Sequence, residues 1–330
     1  MMEGMVNMKP KVYVTRQIPD EVLAMIRQAC EVRVWSESDV PVPRDVLERE
    51  IADVEGLYCL LTDQVDEALL ERAPRLKIVS NMAVGYNNID VEAATRRGIM
   101  VTNTPDVLTE TTADLTFALL MATARRLLEA SDYLRRGDWQ TWSPMLLTGQ
   151  DVFGSTLGII GMGRIGEALV RRAKGFNMNV LYYNRTRKEK TEEAYGIRYT
   201  DMNELLRMSD FVCVLTPYTP QTHDLIGAAE LRRMKPTAVL INTSRGGIVN
   251  EDALYEALRD GTIWAAGLDV FEREPVVPDH PLLTLPNLVS LPHIGSASVA
   301  TRIQMARLAA NQLIDAINGH RPAHLVNPNV

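Results

Sequence analysis

The 330-residue sequence contains few cysteines, and they form no recognisable pattern. Cys30, Cys59 and Cys213 are odd in number and far apart, which excludes a disulfide framework and the close spacing of a zinc or redox motif. We therefore predict that all three are small buried side chains in a reducing compartment.

Long apolar runs and an excess of basic residues are also absent. No run reaches the length of a membrane span, and the first sixteen residues lack the apolar centre of a signal peptide. The net charge is -7, so a general attraction to nucleic acid or to an anionic membrane is not expected. No pair of histidines or cysteines has the spacing of metal ligands, so no metal is predicted. Together these absences favour a cytoplasmic globular protein.

Short apolar segments alternate with helical patterns along the whole chain. Five such segments precede residue 105, and six more follow residue 150. Because they are mostly apolar and do not alternate with polar residues, they predict strands buried on both faces of parallel sheets wrapped by helices. Two series in a chain of this length predict two α/β domains, each with a doubly wound parallel sheet.

Two longer helical patterns suggest how the domains are connected. One, at 108–131, lies between the two strand series, and the other, at 296–319, follows the last strand and ends at a glycine. Because the last helix can return to the first domain, that domain would be discontinuous. The predicted boundaries are 1–105 with 296–330 for the first domain and 106–295 for the second.

A glycine-rich segment follows the first strand of the second series. Gly161, Gly163 and Gly166 form G-x-G-x-x-G between a predicted strand and a predicted helix, which is the context that dinucleotide binding requires. The amides of Arg164 and Ile165, in the first helical turn, would face the phosphates. A strand–helix turn without a ligand is the alternative.

The next strand ends without the carboxylate that would bind an NAD ribose. It runs instead into Asn184, Arg185 and Thr186, with Arg187 and Lys188 behind them. Because a guanidinium matches the charge and shape of a 2′-phosphate, the sequence predicts NADPH in preference to NADH, with NADH still possible. A solvated basic turn is the alternative interpretation.

Arg245, Glu274 and His293 each follow one of the last three strands. Since the carboxyl ends of parallel strands share one edge of a sheet, these side chains can meet beside the glycine loop. Hydride transfer to a 2-oxo acid leaves negative charge on oxygen, and His293 would donate the proton.

Glu274 would fix the tautomer of that imidazole and favour its protonated form. Arg245 would polarise the carbonyl and hold the carboxylate of the substrate. Each residue alone has a simpler explanation as a solvated or capping side chain. Their joint placement favours the catalytic set Arg245, Glu274 and His293, with Arg245 and His293 also contacting substrate.

The chain resembles the D-isomer-specific 2-hydroxyacid dehydrogenases over nearly its whole length. The motifs that carry the resemblance, in the family's order, are GIIGMGRIG, INTSRGGIVNEDAL, GLDVFEREP and LPHIGSAS. The resemblance implies a Rossmann cofactor domain inserted into a discontinuous flavodoxin-like substrate domain. It also implies reduction of a small 2-oxo acid to the D-2-hydroxy acid, and a homodimer held by the cofactor domains.

Within the family, the chain looks most like the glyoxylate/hydroxypyruvate reductases. The segment NMAVGYNNID matches a loop whose amides, here at Val84 and Gly85, hold the substrate carboxylate; exposed amides beside a glycine suit an anion. Trp139 or Trp142 would either contact the neighbouring subunit's active site or pack within the dimer interface. The full set of predicted cofactor contacts is Thr112, Gly161, Gly163, Arg164, Ile165, Gly166, Asn184, Arg185, Thr186, Thr216, Pro217, Thr243 and Asp269.

Single positions argue against two related enzyme activities. Val84 replaces the lysine typical of phosphonate dehydrogenases, and Glu274 replaces the glutamine of formate dehydrogenases. 2-Ketogluconate reductase and other D-2-hydroxyacid dehydrogenase activities remain open. A non-catalytic nucleotide-sensing protein, similar to the corepressors that resemble this family, is the alternative from a different class.

Overall fold

The computed structural model describes residues 9–330, which form two compact units. One unit contains the described residues up to Leu108 together with Ser298–Val330, and the other contains Thr109–Ala297. Each unit has its own parallel sheet. The first unit is therefore built from both parts of the chain that flank the second.

The first unit contains a five-stranded parallel sheet in the order β2-β1-β3-β4-β5. This order is that of a flavodoxin-like sheet, in which ligands bind beyond the carboxyl ends of the strands. Its strands are β1 (Lys11–Val14), β2 (Glu31–Val34), β3 (Gly56–Cys59), β4 (Ile78–Asn81) and β5 (Met100–Thr102).

Helices cover both faces of that sheet. They are α1 (Asp20–Ala29), α2 (Arg44–Glu50), α3 (Glu67–Glu71), α4 (Val91–Arg96) and the returning helix α12 (Val299–Ile317). The returning helix packs directly on the strands: a Cβ atom on Gly56 would lie 2.9 Å from side-chain atoms of Leu313 and Ile317. Ser80 in β4 donates its hydroxyl to the carbonyl of Ala309 at 2.8 Å. The returning helix therefore belongs to the first unit.

The second unit contains a seven-stranded parallel sheet in the order β12-β11-β10-β9-β6-β7-β8. The first strand of this unit lies inside the sheet. The next two strands extend the sheet to one edge and the last four extend it to the other edge, which is the Rossmann arrangement. The predicted fold class, with two doubly wound parallel sheets, is therefore confirmed. Its strands are β6 (Thr156–Ile160), β7 (Asn179–Tyr183), β8 (Arg198–Tyr199), β9 (Phe211–Val214), β10 (Val239–Asn242), β11 (Ala265–Leu268) and β12 (Leu288–Ser290).

The helical pattern predicted at 108–131 is two helices. Arg126 has a left-handed φ of 53°, which ends the first helix, and its guanidinium binds Glu129 through both terminal oxygens. The apolar spacing continues across the break, so the pattern did not reveal it. The helices of this unit are α5 (Thr109–Ala124), α6 (Leu127–Arg135), α7 (Arg164–Gly175), α8 (Glu189–Tyr195), α9 (Met202–Met208), α10 (Ala228–Leu231) and α11 (Glu251–Arg259).

The prediction that strands are buried on both faces holds for the interior strands and largely for β5, and is wrong at the edge strands β2 and β12. β2 is only partly buried, with Glu31 exposed, because an edge strand has a neighbour on one side only. The two-residue edge strand β8 was not predicted. All three cysteines are buried and free, as predicted. Within residues 9–330, no helix is long and apolar enough to cross a membrane.

Candidate active site

The glycine loop joins β6 to α7 at the carboxyl edge of the seven-stranded sheet. Gly161 has a φ of 103°, and a Cβ atom there would lie 2.7 Å from the backbone of Leu215 and Thr216. A Cβ atom on Gly166 would lie 2.7 Å from the carbonyl oxygen of Gly161. Both positions therefore require glycine so that the loop can turn and the helix can pack against it.

Gly163 is different because the space beside it is open. It is exposed and precedes the first residue of α7, and no heavy atom lies within 4 Å of where its Cβ would be. No side chain caps the amides of this helix start, where Arg164 is exposed and Ile165 is partly buried. An open concavity at a helix N-terminus fits the pyrophosphate of a dinucleotide.

The basic turn after β7 contains two arginines in different situations. Arg187 donates to both carboxylate oxygens of Glu192, at 2.8 and 2.9 Å. Arg185 is exposed and makes no hydrogen bond or ion pair with the described residues. Asn184 donates to the carbonyl of Thr186 at 2.9 Å, which closes the turn. Of the two arginines, only Arg185 keeps its guanidinium available to a ligand.

Threonine hydroxyls connect α5 to the end of β10. Thr116 donates to the carbonyl of Thr112 at 2.7 Å, and its oxygen lies 2.6 Å from the hydroxyl oxygen of Thr243. All three residues are buried. Thr216 is partly buried and Pro217 exposed at the end of β9, beside Gly161. The predicted contacts at these strand ends therefore lie along one edge of a single sheet.

Asp269 lies just beyond the end of β11 and is buried. Its Oδ1 accepts the amide of Ile294 at 2.7 Å, whereas Oδ2 is buried with no hydrogen-bond partner among the described residues. Burial raises the pKa of this carboxyl, and the bond from Ile294 opposes that change only in part. A buried oxygen without a donor fits an amide ligand such as the nicotinamide carboxamide.

Arg245 is presented by a tight turn after β10. Asn242 holds the turn by donating to the carbonyl of Arg245 at 2.9 Å and by accepting from Ser244. The Arg245 guanidinium donates to the carbonyl of Ser244 at 2.7 Å. Burial lowers the pKa of Arg245, and the nearby charge of Glu274 partly offsets this. The guanidinium is thus a partly buried cation, which interacts more strongly with an anion than an exposed one does.

The turn after β10 and the loop after β11 are in close contact. A Cβ atom on Gly246 would lie 1.9 Å from backbone atoms of Phe271, so glycine is required for the approach. In the second loop, the amide of Phe271 donates to Oε1 of Glu274 at 3.0 Å. This contact brings the segment that carries Arg245 against the segment that carries Glu274.

Glu274 is hydrogen-bonded to His293. Its Oε2 lies 2.7 Å from Nδ1 of the imidazole, and the two side chains are only 27% and 22% exposed. Burial acts to raise the pKa of Glu274, but the bond to His293, the amide of Phe271 and the charge of Arg245 together lower it. Glu274 is therefore ionised at neutral pH, and the imidazole Nδ1 donates to it, which leaves Nε2 for a ligand.

The loop predicted to bind the substrate carboxylate follows β4 in the first unit. Val84 and Gly85 are partly buried, and Tyr86 is exposed. The carbonyl of Ala83 accepts the amide of Thr104 at 2.9 Å, which attaches the loop to the segment after β5. Asn81 and Asn103 also anchor this loop, and neither was predicted from the sequence to do so. The sequence signal that could have identified them is their position at the carboxyl ends of adjacent strands.

Other titratable residues are held in structural contacts. His280 lies 3.2 Å from Glu251 and packs edge-on against Phe271, while His320 is exposed. In the part of the chain that the structure describes, no three His, Cys, Asp or Glu side chains are grouped as metal ligands. The predicted catalytic side chains are an imidazole, a carboxylate and a guanidinium.

Comparison with known proteins shows the family to which the chain belongs. Residues 117–295 match the family described as D-isomer specific 2-hydroxyacid dehydrogenase, NAD binding domain. The chain is also 52% identical to a glyoxylate reductase of Korarchaeum cryptofilum, over 98% of this chain and 97% of the relative. This chain belongs to the D-isomer-specific 2-hydroxyacid dehydrogenases.

Other relatives of this dehydrogenase extend the similarity to solved structures. A glyoxylate reductase of Pyrococcus horikoshii is 49% identical over 98% of this chain and 97% of its own. The crystal structure of an NADPH-dependent glyoxylate/hydroxypyruvate reductase from Sinorhizobium meliloti, in complex with NADP and malonate, is similar with a TM-score of 0.84 and 37% identity. That similarity covers 97% of this chain and 98% of that chain. The predicted family and the predicted NAD(P)-dependent dehydrogenase activity are confirmed.

Proposed function

We propose that this dehydrogenase reduces glyoxylate and hydroxypyruvate to the corresponding D-2-hydroxy acids, with NADPH preferred over NADH. Relatives that are about half identical over nearly the whole chain are glyoxylate reductases. A structural neighbour is NADPH-dependent and uses both substrates by its description. Each part of the site described above has a role in this reaction.

The unit that contains β6–β12 binds the cofactor in this proposal, and the unit that contains β1–β5 binds substrate. The bound nicotinamide supplies the hydride that reaches C2 of the 2-oxo acid. Gly163 and the start of α7 hold the pyrophosphate, and the orphaned Oδ2 of Asp269 accepts the carboxamide N–H. Arg185 and Thr186 bind the 2′-phosphate, because Arg187 is already paired with Glu192.

His293 donates the proton that the substrate oxygen takes up. Because its Nδ1 donates to Glu274, the mobile proton is on Nε2. As C2 becomes tetrahedral, negative charge grows on the carbonyl oxygen, and the proton moves from Nε2 to that oxygen. Glu274 stabilises the imidazolium before transfer and keeps the ring in one orientation.

Arg245 neutralises the negative charge of the substrate. Arg245 is partly buried, so its interaction with the carboxylate or the developing alkoxide is less screened than at an exposed site. The amides of Val84 and Gly85, in the unit that contains β1–β5, also donate to the carboxylate in this proposal. The 2-oxo acid is thereby held at its charged end while its carbonyl carbon is reduced.

The enzyme is a homodimer in this proposal. Large apolar side chains are exposed in and after α6, including Leu134 at 60%, Trp142 at 75% and Met145 at 76%. Several exposed apolar side chains along one segment are typical of an interface. Light scattering should give the mass of two chains, and replacing Trp142 and Met145 with Glu should give the mass of one.

The observation that carries the proposal is the 2.7 Å contact between Glu274 and His293, at the same sheet edge as the glycine loop. The test is the loss of NADPH absorbance with a panel of 2-oxo acids, including glyoxylate, hydroxypyruvate, 2-ketogluconate and pyruvate. We expect the highest kcat/KM with the first two. Turnover of none of the four, by a protein that binds NADPH, would support a nucleotide-sensing role instead.

A further inference from the structure

We propose that the side-chain amides of Asn81 and Asn103 orient the peptide groups of segment 83–86 so that their N–H groups face the substrate carboxylate. The two asparagines are positioning residues, because they contact the loop backbone. The inference rests on the proposed function, which assigns carboxylate binding to this loop. It explains what holds the loop in its conformation. It also adds the amide of Tyr86 to the amides of Val84 and Gly85 that bind the carboxylate.

Three successive carbonyl groups of the loop are held by donors from neighbouring strand ends. The carbonyl of Ala83 accepts the amide of Thr104 at 2.9 Å. The carbonyl of Val84 accepts Nδ2 of Asn103 at 2.8 Å, and that of Gly85 accepts Nδ2 of Asn81 at 3.0 Å. Each carbonyl of this stretch is therefore fixed in direction.

Fixing a carbonyl also fixes the amide that follows it. In a trans peptide the C=O and the next N–H point in opposite directions, and the peptide bonds of this segment are trans. The N–H groups of Val84, Gly85 and Tyr86 thus point away from the donors that hold the preceding carbonyls. Successive outward N–H groups in a turn form an anion-binding nest.

The asparagines are themselves held by buried groups. Asn81 is fully buried, and its Nδ2 also lies 3.4 Å from Oδ1 of Asn88. Asn88 donates to the carbonyls of Leu60 and Asp63 at 3.1 and 2.9 Å. These bonds connect segment 83–86 to the loop after β3.

Asn103 is fixed from the returning helix α12. Its carbonyl accepts Nε2 of Gln312 at 2.9 Å, and Gln312, which is 2% exposed, accepts the amide of His324 at 3.1 Å. The C-terminal part of the discontinuous unit therefore supports the loop through one buried side chain. An unsupported loop would have to order its peptides each time the substrate binds, at a cost in affinity.

The test replaces Asn103 with Asp, which keeps the shape of the side chain. The carbonyl of Val84 then faces a carboxylate oxygen in place of an N–H donor, so the following peptide turns away from its present orientation. Binding to the loop amides is equal in the ground and transition states, so its loss raises KM and leaves kcat unchanged. We expect Asn103→Asp to raise the KM for glyoxylate and the Ki for oxamate about tenfold or more.

The matched control is Asn327→Asp in the same unit. Asn327 is 6% exposed, and its Nδ2 donates to the carbonyl of Ile99 at 2.9 Å and to Thr95. The substitution removes the same type of donor without touching the loop. We expect it to lower the melting temperature and to leave the KM for glyoxylate unchanged. The Kd for NADPH, from fluorescence titration, should be unchanged in both variants.

A measurement on the unmodified enzyme makes the test independent of how the variants fold. Hydrogen exchange at the amides of Val84, Gly85 and Tyr86 should slow when oxamate is added to the NADPH complex. Exchange that does not change at these amides would overturn the inference, as would a folded Asn103→Asp enzyme with the normal KM. An unmodified protein that reduces no 2-oxo acid would overturn the proposed function as well.

Discussion

Nδ1 of His293 lies 2.7 Å from Oε2 of Glu274, although the residues are 19 positions apart and follow different strands. The contact fixes which imidazole nitrogen remains for a substrate. His293 itself has a left-handed φ of 55°, a conformation that is costly for a residue other than glycine. The hydrogen bond to Glu274 and the bond from Ile294 to Asp269 hold the loop in this conformation.

Replacement of His293 by Ala should remove the proton donor while leaving the cofactor site intact. We expect kcat for glyoxylate reduction to fall by about 10²–10⁴-fold, the usual contribution of a general acid. The Kd for NADPH should not change. His320→Ala, at an exposed histidine, is the control and should retain full activity. A His293→Ala enzyme with nearly normal kcat would exclude the assigned role.

The pH dependence of reduction should depend on Glu274. Reduction needs a proton on Nε2 of His293, so kcat should decrease when a rise in pH removes that proton. Glu274→Gln removes the negative charge that stabilises the imidazolium, so the variant should lose activity at a lower pH than the wild type. Pre-steady-state rates across the pH range measure this directly. Superimposable profiles would show that Glu274 has no influence on the proton donor.

Arg185 should determine the cofactor preference. Arg185→Asp places a carboxylate where a ribose 2′-hydroxyl can donate to it and where a 2′-phosphate is repelled. We expect the ratio of kcat/KM for NADPH to that for NADH to fall at least about tenfold, as one lost charged hydrogen bond would produce. Lys190→Asp makes the same charge change on α8 and should alter the ratio much less. Equal ratios in both variants would contradict the assignment.

Two alanine substitutions in the glycine loop should separate folding from cofactor binding. Gly161→Ala forces a Cβ atom against the Leu215 backbone at a φ of 103°, so it should destabilise the unit by at least about 1–3 kcal/mol, the cost of strained backbone. Gly163→Ala meets no protein atom within 4 Å. It should retain its melting temperature and bind NADPH more weakly. Normal NADPH affinity in Gly163→Ala would place the pyrophosphate elsewhere.

Asp63 should make stability depend on pH. Its side chain is 3% exposed and accepts from the hydroxyl of Thr15 and the amide of Leu60. Burial raises the pKa of Asp63 above the ordinary value of 3.8, more than the accepted bonds lower it. A raised folded-state pKa means that stability decreases as pH rises from 3.8 through the folded-state value.

The comparison for this prediction is Asp63→Asn, whose amide oxygen can accept both hydrogen bonds without a charge. Urea unfolding of both proteins between pH 4 and pH 7.5 measures the difference. We expect the wild type to lose free energy of unfolding relative to the variant as the pH rises. A constant or opposite difference would show that Asp63 is not protonated more readily in the folded state.

Much of this site was predictable because its signals are local. Gly161 needs a positive φ and a close neighbour, and the sequence shows this as a glycine between a strand and a helix. Arg245, Glu274 and His293 each follow a buried strand, and parallel strands end at a common edge. That rule alone predicts that these three side chains lie at the same edge of the sheet, and no interatomic distance is needed for the prediction.

Other features could not be derived from local pattern. The break at Arg126 is absent from the apolar spacing, and β8 is too short and polar to show a strand signal. Asn81 and Asn103 donate to backbone carbonyls, which every residue carries, so nothing in the sequence identifies their partners. Arg185 was predicted as a cofactor contact from its place after the strand, but the pairing of Arg187 with Glu192 depends on the fold.

The sequence by itself determined the two parallel sheets, the glycine loop and the family, because burial and backbone preference are properties of short segments. The tertiary structure alone decided that Arg187 is paired with Glu192 and which oxygen of Asp269 lacks a donor. It also decided the direction in which the N–H groups of Val84, Gly85 and Tyr86 point. These depend on hydrogen-bond distances between residues that are remote in the chain, and such distances exist only once the strands are ordered and the helices packed.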